Sequence, residues 1–315
     1  MNNKKRHFYM NAAEVMDKTI EVFKKSFFIQ IAYNFIVSMI SSIIMFVAVF
    51  VGMILFVVAG ISGALSSFSW GGVIFLIVLA VFVFMMLMAL QSIGNILLSN
   101  EVFKGKKPNL GKTIGTAIKK LPAIFTVLVA QAIFFLPFLG VIALIVYGYV
   151  MAVASRDFTY ISTARVILWI GFTTLNVAVI GMLLAIFYAL TILSIPVCMF
   201  DKKYFFGAIF RSIELVKKDF FRFLGTIVLW QITILIFSSS LSAVLTLAQS
   251  ILGIFMSNQT AAIISVALMG INYLITMVLG VIVAPLSGIF TNVMYINRKI
   301  KCEGYDITLY LENEV

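Results

Sequence analysis

Four stretches of the chain contain no Asp, Glu, Lys or Arg: Ser26 to Asn100, Leu121 to Ser155, Val166 to Phe200 and Phe223 to Asn297, of 75, 35, 35 and 75 residues. A helix rises about 1.5 Å per residue, and the apolar core of a bilayer takes roughly 20 residues to cross. Each long run therefore holds two helices and a turn, and each short run holds one. The expected fold class is all-α, a polytopic membrane protein with six transmembrane helices near residues 28–58, 71–98, 122–152, 167–198, 222–250 and 262–295. A hydrophobic share of 63% excludes a water-soluble globular domain, which could not cover that much apolar surface. Runs of 35 residues exceed a perpendicular span, so tilted helices, or helices continuing past the headgroups, are expected.

The 23 Lys and Arg residues orient these spans. Lys4, Lys5, Arg6, Lys18, Lys24 and Lys25 precede the first span; Lys104, Lys106, Lys107, Lys112, Lys119 and Lys120 lie between the second and third. Lys202, Lys203, Arg211, Lys217, Lys218 and Arg222 lie between the fourth and fifth, and Arg298, Lys299 and Lys301 follow the sixth. The opposite side receives only Arg156 and Arg165, with Asp157. Because positive charge is retained on the cytoplasmic side, this split of 21 to 2 predicts that both termini are cytoplasmic. The net charge of +11 then belongs to a face against anionic lipid and not to a nucleic-acid surface. The first apolar stretch is too long for a cleavable signal and is expected to stay as an anchor. Cys198 and Cys302 map to the reducing side, so no disulfide is expected.

A short motif occurs before spans one, three and five. It reads Lys18-Thr19-Ile20 with Lys24-Lys25, Lys112-Thr113-Ile114 with Lys119-Lys120, and Arg211-Ser212-Ile213 with Lys217-Lys218. The spacing of roughly a hundred residues predicts a single integral membrane domain of three tandem units, about 10–108, 109–200 and 201–298, with a short cytoplasmic tail at 299–315. Each motif reads as a basic amphipathic helix lying in the headgroup plane. In the first, Met16, Ile20, Phe23 and Phe27 form the expected apolar stripe; in the third, Phe206, Ile209, Ile213, Val216 and Phe220 do. Lys24, Lys25, Lys119, Lys120, Lys217 and Lys218 are the candidate contacts to anionic lipid headgroups, each adding about 1 kcal/mol near the surface. The alternative is that these lysines only enforce topology. Pro122 and Gly115 weaken the middle copy, and Pro137, Pro196 and Pro285 are candidate kinks.

With these units in view, the chain resembles a bacterial six-span family, the membrane domain fused to some glycerophosphoryl diester phosphodiesterases and also found alone. The resemblance covers essentially the whole chain. It rests on the Ile-Glu-x-x-Lys-Lys-x-Phe-Phe segments Ile20 to Phe28 and Ile213 to Phe221, on Pro196, and on the closing segment Tyr295-Ile296-Asn297-Arg298-Lys299-Ile300-Lys301-Cys302-Glu303-Gly304-Tyr305-Asp306. The resemblance implies a standalone domain of the bacterial cell (cytoplasmic) membrane. The phosphodiesterase activity of those fusions belongs to a separate soluble barrel, which needs histidines and metal-binding carboxylates. Here His7 is the only histidine, and no such barrel is expected in a chain ending at Val315.

No Asp, Glu, Lys, Arg or His lies inside a predicted span, Arg222 standing at the very start of the fifth. Nucleophilic catalysis, a proton relay and a metal centre all require such residues, so no enzyme activity, catalytic residue, cofactor or metal site is expected. Uncharged polar residues instead gather toward the basic ends of the spans: Gln91, Asn95 and Ser99 on the second, Ser194 and Cys198 on the fourth, Ser287, Thr291 and Tyr295 on the sixth, and Asn34, Ser38, Ser41 and Ser42 on the first. One reading makes Asn34, Gln91, Asn95, Ser194, Ser287 and Thr291 the lining of a polar cavity open to the cytoplasm. The other makes them interhelical hydrogen bonds. Two functions are in competition: an accessory or scaffold protein that engages anionic lipid or a protein partner in the membrane, and a small transporter or exporter subunit for a hydrophobic or amphiphilic solute. The nearly pure Val, Ile, Leu, Phe and Met composition of the outer halves of spans one, two and six argues against a hydrophilic path.

Overall fold

A computed structural model describes residues 9–61, 70–154, 163–255 and 258–304. Among the described residues there are eight helices and no strand: α1 (Ala12–Ile61), α2 (Trp70–Phe103), α3 (Leu110–Ala154), α4 (Thr163–Thr191), α5 (Ser194–Phe200), α6 (Phe206–Lys217), α7 (Phe220–Phe255) and α8 (Asn258–Glu303). Six of the spans they form are long and apolar enough to cross a membrane, and the chain is a polytopic, all-α membrane protein. His7, Arg156, Asp157, Tyr305 and Asp306 lie outside the described residues.

Local chemistry sets the helix ends. Asn11 accepts from the Glu14 N–H at 2.9 Å while the Glu14 carboxylate accepts from the Asn11 N–H at 2.9 Å, a reciprocal cap that starts α1. Asn109 caps α3 by accepting from the Lys112 N–H at 3.1 Å. Gly105, at φ +72°, ends α2, and the Lys106 N–H reaches back to the Glu101 carbonyl at 2.9 Å.

The lead-in segments differ from the sequence expectation. Only the third forms a helix of its own, α6; the first and second are continuous with the spans they precede, inside α1 and α3. No glycine or proline interrupts Lys24 to Phe28, and α3 runs through Pro122 and Pro137 uninterrupted. The buried face of α1 also differs from the expected stripe. It is Val15, Thr19, Val22, Ser26 and Gln30, whereas Ile20 is 42% exposed and Met16, Phe23 and Phe27 are only half-buried. The fourth predicted span is divided, α4 ending at Thr191 and α5 starting at Ser194. Pro196 explains the division, since it has no N–H to give the Ile192 carbonyl. No comparable break occurs at Pro285, which lies inside α8.

The chain forms two compact units, one of Met1–Phe125 with Trp230–Val315 and one of Thr126–Leu229. In the first, α1, α2 and α8 pack against one another. Its buried residues concentrate at the Lys-rich end, at Val15 to Val37, Ala89 to Ser99 and Gly288 to Ile300. Farther along α1, by contrast, Phe46, Val47, Phe50, Val51 and Ile54 are exposed. In the second unit α6 packs against α4 and α5, and the Phe187 ring lies 4.8 Å from Phe135 and 5.5 Å from Phe138, joining α4 to α3. Leu144, Leu168, Leu175 and Val177 of this unit are exposed. Such apolar surface is untenable in water and ordinary against lipid.

Helix association in lipid gains little from burying hydrocarbon, so close backbone approach and hydrogen bonding decide which faces meet. Two glycines allow that approach: a methyl on Gly94 would fall within the Tyr33 ring, and one on Gly288 would lie 2.5 Å from the Asn95 Cβ. Gly94→Ala and Gly288→Ala are each expected to destabilise the protein by about 1–3 kcal/mol through overpacking. Gly115→Ala, where a methyl would meet no atom within 4 Å, is expected to stabilise it slightly. Thermal unfolding of the three variants in one detergent checks this ordering.

Candidate functional site

Two features of the Lys-rich end are candidates for function: a polar node among buried side chains and a set of exposed basic and aromatic residues. The node begins with Asn34 of α1 and Asn95 of α2, which exchange two hydrogen bonds, Asn34 Nδ2 to Asn95 Oδ1 at 2.7 Å and Asn95 Nδ2 to Asn34 Oδ1 at 3.1 Å. Gln91 Nε2 donates to the same Asn34 Oδ1 at 3.0 Å, and the Tyr33 hydroxyl donates to the Leu90 carbonyl at 2.6 Å. The four-residue step from Gln91 to Asn95 puts both on one face of α2. Of the six proposed cavity residues the structure thus joins Asn34, Gln91 and Asn95. Thr291 is buried on α8 and donates to its own helix at Ser287 O, 2.9 Å away, whereas the Ser287 side chain is exposed.

Ser194 belongs to the second unit and has a different role there. The break before Pro196 removes helical partners from the last carbonyls of α4, and side chains take their place. Gln131 Nε2 donates to the Thr191 carbonyl at 3.2 Å and to Ser194 Oγ at 2.5 Å; Ser194 Oγ donates to the Thr191 carbonyl at 2.6 Å; Ser212 Oγ donates to the Leu190 carbonyl at 2.7 Å. Non-helical backbone at membrane depth persists where such partners satisfy it. Gln131 was absent from the sequence candidates, although a lone amide in the charge-free run Leu121 to Ser155 was the available signal.

Most of the paired lysines occupy faces turned away from these buried groups, whereas Arg298 is itself buried. The motif hydroxyls Thr19, Thr113 and Ser212 are all buried, while Lys24, Lys25, Lys119, Lys217 and Lys218 are exposed and Lys120 is half-buried. Lys18 and Lys25 both reach Glu21, at 2.8 Å and 2.7 Å. Glu214 accepts from Arg211 at 2.6 Å, and that hydrogen bond holds its carboxyl below the usual range. A depressed carboxyl pKa contributes stability above the unfolded value near 4.3 and loses it as the pH falls. Because Glu214 is exposed, solvent screening keeps the effect small. Between α5 and α6 the segment Asp201 to Phe205 holds two non-glycine residues at positive φ, Lys202 at +55° and Phe205 at +50°, and exposes Tyr204 and Phe205 beside Lys202 and Lys203.

Large apolar side chains stand beside two of the lysine pairs. Phe28 is 85% exposed and Phe221 is 82% exposed, each the last residue of a Lys-Lys-x-Phe-Phe segment. No such aromatic pair follows Lys119-Lys120, where Pro122 and Ala123 stand in the two phenylalanine positions.

The hydroxyls of the first and third motifs make different bonds, which separates them experimentally. Thr19 Oγ1 donates to Val15 O one turn back in its own helix, a carbonyl the helix already serves, whereas Ser212 Oγ serves a carbonyl beside the α4 break. Ser212→Ala is therefore expected to cost about 1–3 kcal/mol and Thr19→Val under about 1 kcal/mol. Unfolding of the two variants in detergent reads the difference. No family model, curated protein or solved structure matches this chain.

Proposed function

We propose that this protein is a non-enzymatic accessory or scaffold protein of a bacterial cytoplasmic membrane, with both termini cytoplasmic, that gathers anionic lipid at its Lys-rich face. The observation that carries the reading is the pairing of exposed Lys24-Lys25 with Phe28 and of exposed Lys217-Lys218 with Phe221. A phenylalanine ring gains by burying at the boundary with the acyl chains, and a lysine pair beside it favours negative headgroups. Each supplies one half of a two-part attachment to an anionic leaflet. The exposed Tyr204 and Phe205 beside Lys202 and Lys203 have the same chemistry on the turn before α6.

The tandem organisation fits this reading, because the Lys pairs recur with a buried hydroxyl at one motif position in all three copies. A role without catalysis is what the sequence resemblance implies, and a protein partner in the same membrane would dock on a lipid patch so prepared. A transport path finds less support: three of the proposed cavity residues, Asn34, Gln91 and Asn95, hydrogen-bond to one another.

Charge reversal tests the lipid reading. In the full chain reconstituted into mixed phosphatidylglycerol and phosphatidylcholine nanodiscs, Lys217→Glu with Lys218→Glu is expected to lower phosphatidylglycerol enrichment around the protein several-fold, at unchanged helix content. Each lysine near the surface is worth about 1 kcal/mol, and the enrichment should fall with salt as the headgroup attraction is screened. Unchanged enrichment would leave the lysines with topology as their only role. The orientation has its own check: a fluorescent protein joined after Val315 should fluoresce in cells, and alkaline phosphatase joined there should be inactive.

A further inference from the structure

The polar node of the first unit continues one turn nearer the Lys-rich end, where two carboxamides are fully buried and unbonded. Gln30 of α1 and Asn292 of α8 are each 0% exposed, and Nε2 and Oε1 of the first and Nδ2 and Oδ1 of the second have no hydrogen-bond partner among the described residues. The two share a layer. Asn34, Asn95 and Gly288 lie at one level, because Asn34 bonds to Asn95 and the Gly288 backbone packs on the Asn95 Cβ. From that level Gln30 is four residues earlier on α1, which leaves the Lys-rich end, and Asn292 is four later on α8, which returns to it. Each step is one helical turn on the same face, about 6 Å toward the same end. Since α1, α2 and α8 pack against one another, the two buried amides lie in the core that these three helices share.

Four buried amide atoms at one level, each without a hydrogen bond, carry a desolvation cost that a bound partner would relieve. A ligand that relieves it must donate and accept together. A cation would serve the two carbonyl oxygens and leave both NH2 groups unpaired, and an anion would do the reverse. Water serves both and takes two to four polar partners in a buried site. We infer that Gln30 and Asn292 form a water-binding site between α1 and α8, which completes the polar node and hydrates the interface from the Lys-rich side.

Water-edited solid-state NMR on the full chain in bilayers tests the site, with the side-chain amide signals of Gln30 and Asn292 identified by their loss in Gln30→Leu and Asn292→Leu. Both amides are expected to receive water magnetisation nearly as fast as exposed Asn109, despite their burial, and the Asn292 signal is expected to fall several-fold in Gln30→Leu. Build-up in the wild type as slow as at the buried methyls of Val37 would overturn the proposal, leaving the two amides bonded to each other or to nothing. Full retention of the Asn292 signal in Gln30→Leu would refute the shared site. A thermal midpoint of the wild type that depends on sodium against choline at equal ionic strength would replace water by a cation.

Discussion

The dipeptide Gly94-Asn95 is the point on which the first unit depends. Gly94 lets the Tyr33 ring of α1 lie on the α2 backbone, and Asn95 meets both neighbours, bonding to Asn34 of α1 and receiving the Gly288 backbone of α8. In lipid there is no hydrophobic reward for bringing apolar helices together, so contacts of this kind decide which faces pack. The rest of the interface follows. Trp230 of α7 stacks on Phe290 of α8 at 4.7 Å, two residues beyond Gly288, and Asn297 exchanges hydrogen bonds with the Met10 backbone at 2.8 Å and 3.0 Å, tying the start of α1 to the end of α8. Lys301 over the Tyr9 ring adds a cation–π contact at the same place.

The second unit applies the same principle to a different problem. Pro196 divides its fourth span, and Gln131, Ser194 and Ser212 serve the carbonyls at the break. Each unit therefore uses polar side chains to hold its own helices together and leaves a lysine pair exposed, Lys24-Lys25 in the first and Lys217-Lys218 in the second. This separation leaves the lysine pairs Lys24-Lys25 and Lys217-Lys218, rather than the buried amides, open to the surroundings, which is the basis of the proposed lipid role.

The number and order of the spans were legible because charge is excluded from the hydrocarbon core, but their ends were not, since α1 starts at Ala12 and α3 at Leu110, well before the uncharged runs begin. The buried face of α1 was not legible by the usual rule. An amphipathic stripe of Met16, Ile20, Phe23 and Phe27 is what a soluble helix would bury, whereas here Thr19, Ser26 and Gln30 turn inward. A helix beside lipid inverts that preference, since its apolar groups already have a favourable solvent and its polar groups do not. Asn34, Gln91 and Asn95 were legible as a group from their four-residue steps and shared depth, but their mutual bonding was not, because pairing between helices depends on rotation that one sequence does not encode locally. Gln30 and Asn292 escaped notice for a simpler reason: Gln30 sits next to the basic segment and Asn292 interrupts the step from Thr291 to Tyr295.

A double-mutant cycle on Asn34→Leu and Asn95→Leu, read by reversible unfolding of the full chain in bilayers or bicelles, tests the central claim most directly. If the reciprocal amide pair holds α1 to α2, the two losses will be strongly non-additive, with a coupling of about 1 kcal/mol, near the upper range for hydrogen bonds between membrane helices. Additive losses, with Asn34→Leu equally costly whether or not Asn95 is present, would contradict the account and place the stability of this unit in apolar packing alone.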